Sequence, residues 1–204
     1  MKSHWETIYT TKTPEQVSWT QEVPITSLEF IQNLNLSKES PIIDVGGGDS
    51  KLVDHLLNLG YQNITVLDIS EAALNRSKKR LGLRANKVHW IVSDVLDFVP
   101  KQSYALWHDR AAFHFLTTEN EIKKYLSIIS KIVNQAVVIG TFSTNGPTKC
   151  SGLEIRQYNG DSMENLFKTI AFFKVNCRTE NHTTPSGGAQ NFLFCSFQKL
   201  TRQT

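Results

Sequence analysis

Three aspartates and a run of glycines are the residues whose types and spacing could do chemistry. Asp44-Val45-Gly46-Gly47-Gly48-Asp49-Ser50 places a glycine turn between two carboxylates, Asp68 follows some 20 residues after Gly46, and Asp94 comes later in Ser93-Asp94-Val95. Glycines at such a turn let a ligand approach backbone where a Cβ would collide. A carboxylate only accepts hydrogen bonds. Asp68 therefore suits a pair of ribose hydroxyls, Asp94 an exocyclic amine or a hydroxyl, and Asp44 an ammonium or the waters around it. The dinucleotide fingerprint G-x-G-x-x-G fails because Lys51 stands where its last glycine should be, and the phosphate loop G-x-x-x-x-G-K-[ST] is absent. What remains is a ligand with a ribose and a cationic part. Taken singly, Asp68 or Asp94 would also read as an ordinary strand-end turn residue.

These residues need elements to hold them, and the hydrophobic pattern supplies a layered α/β alternation from Ser40 onward. Pro41–Val45 is a buried strand. A helix follows the glycine turn, carries Leu52, Val53, Leu56 and Leu57 on one face, and stops at Gly60. Asn63–Asp68 is the second strand, followed by a helix capped by Ser70 and ending at Gly82. The basic face of that helix, Arg76, Lys78, Lys79 and Arg80, reads as solvated. Val88–Val92 and Tyr104–Trp107 are the third and fourth strands. Thr118-x-x-Glu121 is a capping box opening a helix with an Ile122, Tyr125, Leu126, Ile129, Val133 stripe, and Ala136–Gly140 is the fifth strand. Asp161-x-x-Glu164 caps a shorter helix. Two strands, about 172–179 and 191–199, then joined by the turn-rich 182–188 segment, form an antiparallel pair at the sheet edge. Residues 1–39, jointed at Pro14 and Pro24 with Pro41 just beyond, carry Trp5, Tyr9, Trp19, Leu28, Phe30, Ile31 and Leu34 on short helices. They are expected to form a helical lid on a 40–204 core within one domain.

From Ile42 to Lys199 the chain resembles the class I S-adenosylmethionine-dependent methyltransferases, on Asp44-x-Gly46-x-Gly48, Asp68, Ser93-Asp94-Val95 and the closing hairpin; it departs at Ser50, where many members carry a third glycine. The resemblance implies a three-layer, doubly wound, Rossmann-like sheet of seven strands in the order 3-2-1-4-5-7-6, with strand 7 antiparallel. It implies S-adenosyl-L-methionine as cofactor, no metal, and cofactor contacts at Asp44, Gly46, Gly47, Gly48, Asp68, Ile69, Asp94 and Val95. The segment Trp107-His108-Asp109-Arg110-Ala111-Ala112, with Trp19 upstream, is similar to the thiopurine and tellurite branch, which adds Trp19 to the cofactor-binding set.

Methyl transfer from a sulfonium needs little acid–base machinery, since in-line positioning alone can supply roughly 7–11 kcal/mol. The acceptor is expected at the end of the fourth strand, His108 to Phe115. Members of the family it resembles that methylate amide-type nitrogens often carry Asn/Asp-Pro-Pro-Tyr/Phe at this point; none stands here, so the resemblance disfavours methylation of bases and of glutamine. Asp109, Arg110 and His114 are the candidate catalytic residues, and His108, Arg156 and Tyr158 the candidate acceptor-binding residues. A fixed arginine charge favours thiolate over thiol and suits a thiol or chalcogen nucleophile; paired arginines suit a carboxylate instead. Asp109 and Arg110 also read as a structural pair anchoring the loop, and His108 or His114 as simply hydrogen-bonded. The competing readings are carboxylate O-methylation, protein lysine methylation and a degenerate cofactor-binding subunit.

Composition bounds the partners. With 22 Lys and Arg against 19 Asp and Glu among 204 residues, the net charge of +3 makes no dense basic face, so a small-molecule acceptor is expected over nucleic acid. No apolar run approaches the roughly 20 residues of a membrane span, and the start, Met1-Lys2-Ser3-His4-Trp5-Glu6, lacks a secretory core. Cys150, Cys177 and Cys195 are widely spaced, which reads as buried free thiols in a cytoplasmic protein. Nothing in the pattern sets the oligomeric state.

Overall fold

A computed structural model describes residues 1–184 and 187–200. Seven strands form one sheet: β1 (Ile42–Val45), β2 (Ile64–Asp68), β3 (Val88–Val92), β4 (Tyr104–Arg110), β5 (Val133–Phe142), β8 (Phe172–Thr183) and β9 (Ala189–Lys199). A two-residue hairpin, β6 (Lys149–Cys150) with β7 (Leu153–Glu154), stands apart. The sheet order is β3-β2-β1-β4-β5-β9-β8. Discounting the small hairpin, that is the expected 3-2-1-4-5-7-6. The pairings from β3 through β5 are parallel, while β9 runs antiparallel to both β5 and β8.

Period-two alternation along the central strands sends consecutive side chains to opposite faces. Leu106, Ala136, Val138 and Phe194 face one core with α1 (Lys2–Thr11), α2 (Ile25–Gln32), α3 (Leu52–Asn58) and α4 (Glu71–Leu81). Trp107, Val137, Ile139 and Cys195 face the other, with α5 (Glu119–Ile132) and α6 (Gly160–Lys168). The result is a helix–sheet–helix sandwich in which both faces are dry, as parallel strands require. Ser70 accepts from Ala73 N at 3.2 Å, and Thr118 and Glu121 form their capping box.

The structure differs from expectation in several places. The cap of α6 is Asn159, paired reciprocally with Ser162, and Asp161 lies inside the first turn; the Asn159 amide oxygen reaches the N3 amide, which a carboxylate already within the helix cannot do. Strand β5 begins at Val133, directly from α5, and β8 and β9 extend farther toward their connection than their apolar runs suggested. That connection includes Pro185 and Ser186, which lie outside the described residues. Cys177 and Cys195 are opposite one another in the β8–β9 register and are joined as a disulfide. They are therefore not free thiols, and the argument they offered for a reducing compartment falls away. Only register, which sequence spacing does not encode, brings them face to face. Cys150 is free and buried, and burial pushes its thiol up to about 11. Among the described residues no helix is long and apolar enough to cross a membrane.

Candidate functional site

The carboxyl ends of β1, β2, β3 and β4 open onto a single cavity, and the glycine turn is its floor. Gly46 sits at φ +67°, and a Cβ there would lie 2.7 Å from the Cβ of Ala112. A Cβ on Gly47 would lie 2.7 Å from Asp44 Oδ2, and one on Gly48 3.1 Å from Asp68 Oδ2 and 3.0 Å from the Tyr9 hydroxyl. The glycines thus keep two carboxylates and the facing loop close to the backbone. Gly46 N donates to Leu67 O at 2.8 Å, tying the turn to β2. Arg80 clamps it from outside, donating to Asp49 O at 2.8 Å, Ser50 O at 2.7 Å and the Asp54 carboxylate. Arg76 reaches Asp49 at 3.4 Å and also Lys12 O. The face of α4 read as solvated therefore fastens the glycine turn with two of its arginines.

Asp68 is buried and accepts from Ser70 N at 2.8 Å. Burial pushes its carboxyl up to about 7, against the lowering effect of the Ser70 and Gly48 amides. A carboxylate offers about four acceptor sites, so capacity remains for two hydroxyls. Asp94 caps the next turn through Leu96 N at 2.9 Å and lines the cavity with Ile69, Val95 and Leu96.

At the end of β4 the backbone turns through Ala111 at φ +71°, a conformation an alanine holds only when its surroundings impose it. Asp109 imposes it. One carboxylate oxygen accepts from Ala112 N at 2.9 Å and Phe113 N at 3.1 Å, and the other from the Tyr125 hydroxyl at 2.7 Å, which in turn accepts from Trp107 Nε1 at 2.8 Å. Asp109 is wholly buried behind the cavity wall, and burial pushes its carboxyl up to about 6. It anchors the loop through backbone amides and Tyr125, not through a pair with Arg110.

His108 lines the cavity but both ring nitrogens are committed. Nδ1 meets Asp44 Oδ1 at 2.7 Å and Nε2 meets Ser27 Oγ at 2.9 Å; because Asp44 can only accept, Nδ1 donates to it, and Nε2 is held against the Ser27 hydroxyl. His114 does not reach the cavity. It is fully buried and stacked on Phe142 at 4.8 Å, and burial pushes its imidazole down to about 3, so it is neutral. Arg156 is likewise elsewhere, in an exposed ion pair with Glu119 at 2.5 Å, while Tyr158 is buried against Phe113.

The N-terminal segment supplies the remaining wall. Trp5, Tyr9 and Trp19 line the cavity, with ring centroids 5.7 Å apart for Trp5–Trp19 and 6.1 Å for Tyr9–Trp19, and Trp5 packs edge-on to Phe115 at 5.1 Å. Glu6 docks α1 onto the start of α4 through Ser70 Oγ at 2.7 Å and Ala72 N at 3.1 Å. Arg110 holds the next stretch, donating to Trp19 O at 2.8 Å and Gln21 Oε1 at 2.5 Å. Phe142, Cys150, Gln190 and Phe192 close the far end.

The cavity thus brings together Asp44, Gly46, Gly47, Asp68, Ile69, Asp94, Val95, Trp19, His108 and Arg110, with Gly48 packed beneath Asp68. Asp109, His114, Arg156 and Tyr158 stand outside its lining. Sequence reasoning missed Tyr9 and Phe192 in the lining, and Ser27, Gln21 and Arg80, which stand outside the lining and bond to residues in it. A Trp5–Tyr9 spacing of four residues was a visible signal for one aromatic helix face; the others are joined to it only by tertiary contact.

A protein-family model described as a methyltransferase domain matches residues 42–136, the span from β1 into β5. The chain is 25% identical over 122 residues to a mouse eEF1A lysine and N-terminal methyltransferase; that stretch is 58% of this chain and only 17% of the relative's length. Its fold is similar to that of a structure from the conversion of a disulfide bond into a thioacetal group during echinomycin biosynthesis. There the TM-score is 0.77 at 15% identity, covering 98% of this chain and 93% of the other. It is also similar to the 1,6-didemethyltoxoflavin-N1-methyltransferase of Burkholderia thailandensis with bound S-adenosylhomocysteine, with a TM-score of 0.72 at 16% identity, covering 98% and 87%. Residues 42–136 thus match a methyltransferase domain, and the strand order with its glycine turn beneath three strand-end aspartates gives the whole chain a Rossmann-like methyltransferase fold.

Proposed function

We propose that this cavity binds S-adenosyl-L-methionine and methylates a small acceptor that is nucleophilic without help from a protein base. The observation that carries the reading is the cavity itself, with carboxylates at the ends of β1, β2 and β3 on one side and an aromatic enclosure on the other. The residues suit the cofactor. Asp68 has acceptor capacity for ribose hydroxyls, Asp94 for an exocyclic amine or hydroxyl, and the Asp44 carboxyl lies beneath the glycine turn, with no Cβ between it and a ligand. When bound, the cofactor supplies an electrophilic methyl on a sulfonium. The chain's part is to orient the two reactants and exclude water.

At the acceptor end Trp5, Trp19, Phe115, Phe142 and Phe192 form an apolar enclosure, with Arg110 as its guanidinium. His108 has neither nitrogen free to take a proton, and the Cys150 thiol is held protonated by burial. A thiolate, a chalcogen oxyanion or a carboxylate fits this environment, because each arrives already ionised and is favoured by the Arg110 charge. The enclosure by residues 1–39 acting as a lid favours a small molecule. Protein lysine methylation is a second reading, favoured by the likeness to the mouse eEF1A methyltransferase over 58% of this chain.

Calorimetry with S-adenosylmethionine tests the first step. Binding is expected, with an affinity loss of at least roughly 100-fold in Asp68→Ala, the lower bound for two charge-assisted hydrogen bonds. Since Asp68 must be ionised to accept from both hydroxyls and its carboxyl titrates at about 7, affinity falls as pH drops below 7. No binding at millimolar cofactor, or no effect of Asp68→Ala, overturns the assignment. A panel of thiols, selenite, tellurite, polycarboxylates and lysine peptides with labelled cofactor then identifies the acceptor class.

A further inference from the structure

We propose that His182 is a positioning residue whose neutral form holds Arg110 and the Trp19 wall in place through Gln21, so that protonation of His182 loosens the cavity. The chain of contacts runs in one direction. Arg110 Nη1 donates to Gln21 Oε1 at 2.5 Å, Gln21 Nε2 meets His182 Nδ1 at 3.2 Å, and His182 Nε2 meets Ser18 O at 2.7 Å. A guanidinium has no acceptor, so Gln21 must turn its carbonyl oxygen to Arg110. Its amide NH2 then faces His182, and His182 Nδ1 must accept. Ser18 O is a carbonyl and must receive a proton from Nε2. The imidazole is therefore fixed as the neutral tautomer protonated on Nε2 alone. A proton on Nδ1 sets two donors against each other, and rotating the Gln21 amide to relieve that sets its NH2 against Arg110.

This assignment rests on the reading of the cavity as the methyl-transfer site. Arg110 and Trp19 line that cavity, and Ser18, Trp19 and Gln21 are one segment of chain, so the contacts of His182 bear on the wall at two points. The imidazole is mostly buried, edge-on to Phe192 at 6.1 Å and opposite Gln190 in the β8–β9 register. The charged groups near it are Arg110 on β4, reached through Gln21, and Glu180 and Arg178 on β8. Glu180 accepts from Thr26 Oγ1 and Arg178 pairs with Glu29 on α2 at 2.7 Å, so both are already engaged. His182 has a different role from His108: it neither lines the cavity nor bonds to Asp44, and acts through Gln21 and the 18–21 backbone.

Nitrogen-15 spectra of labelled histidine in the full-length protein read the tautomer without reference to activity. At pH 8, His182 is expected as a neutral ring protonated on Nε2; a ring protonated on Nδ1, or a cation at that pH, overturns the proposal. The second readout is S-adenosylmethionine affinity from pH 8 to pH 5.5 in three proteins. His182→Asn places an amide oxygen near the Nδ1 position and cannot titrate, so it should keep the pH 8 affinity and lose about five- to tenfold less than wild type on acidification, the equivalent of one hydrogen bond. Gln21→Glu offers a carboxylate that accepts from Arg110 and from a protonated His182 together, and should likewise hold its affinity at pH 5.5. Asp68 titrates in all three, so the differences between proteins isolate His182. Identical pH profiles in the three proteins refute the relay. If no protein binds the cofactor at any pH, the methyltransferase reading fails, while the histidine spectrum still decides the tautomer.

Discussion

Replacing Tyr125 by phenylalanine removes one hydroxyl that serves two buried partners. It donates to Asp109 at 2.7 Å and accepts from Trp107 Nε1 at 2.8 Å, and all three side chains are essentially inaccessible to water. No cavity beyond one oxygen atom is created, so the cost is almost wholly polar. Above pH 7 Asp109 is ionised, and the lost bond is charge-assisted, worth about 1.5–3 kcal/mol, with about 1 kcal/mol more for the orphaned indole N–H. The loss should total about 2.5–4 kcal/mol, or roughly 5–16 °C in Tm for a chain of this length. The pH dependence carries the sharper test. Burial raises the Asp109 carboxyl to about 6, so the folded state binds its proton more tightly than the unfolded chain, where an aspartate titrates near 3.9. That group favours folding at low pH, and its contribution is lost as pH rises through about 6. The Tyr125 hydroxyl lowers the Asp109 carboxyl by donating to the anion, so removing it raises that carboxyl further and widens the window. Tyr125→Phe should therefore be markedly more destabilising at pH 8 than at pH 5, where a neutral hydrogen bond of about 1 kcal/mol is what is lost. Urea denaturation of both proteins at the two pH values measures this. An equal cost at both, or a larger cost at pH 5, refutes the account of Asp109 as a buried anion held by Tyr125 and two amides.

Two further substitutions separate packing from chemistry. Gly46→Ala combines a positive φ, which costs an alanine about 1–2 kcal/mol, with overlap on Ala112, which adds about 1–3 kcal/mol; adding Ala112→Gly should return most of the overlap cost in thermal denaturation, and no recovery would sink the steric explanation. Arg156→Ala should change stability by less than about 0.5 kcal/mol and leave cofactor affinity and acceptor KM unmoved, since its ion pair with Glu119 is exposed; a sharp rise in KM would return Arg156 to the acceptor site.

Much of the architecture could be read along the chain because its signals are local. The Pro41–Val45 run, the glycines after it and the Ser70 and Thr118 caps each depend on residues within a few positions, and the structure places strand, turn and helices there. The cap of α6 was misread because Asp161-x-x-Glu164 matches the same local pattern two residues beyond Asn159, whose amide oxygen is the one that reaches the Ser162 amide. The Cys177–Cys195 bond, the Arg80 clamp on the glycine turn and the displacement of Arg156 to the surface depend on register and on which helix face meets the loop. Those are properties of the packed sheet.

The sequence by itself determined the alternation of strands and helices and the three strand-end aspartates around a glycine turn, because strand, turn and cap preferences act over a few residues and place each Asp where its strand ends, while the order of the strands followed only from the family resemblance. Tertiary structure decided what each residue near the acceptor does. Asp109 became a loop anchor because α5 brought Tyr125 to it, His108 was claimed by Asp44 and Ser27 from two other elements, and His114 was turned into a dry stack on Phe142. Whether a carboxylate or an imidazole is free to do chemistry depends on which donors and acceptors arrive from distant parts of the chain, and only folding brings them.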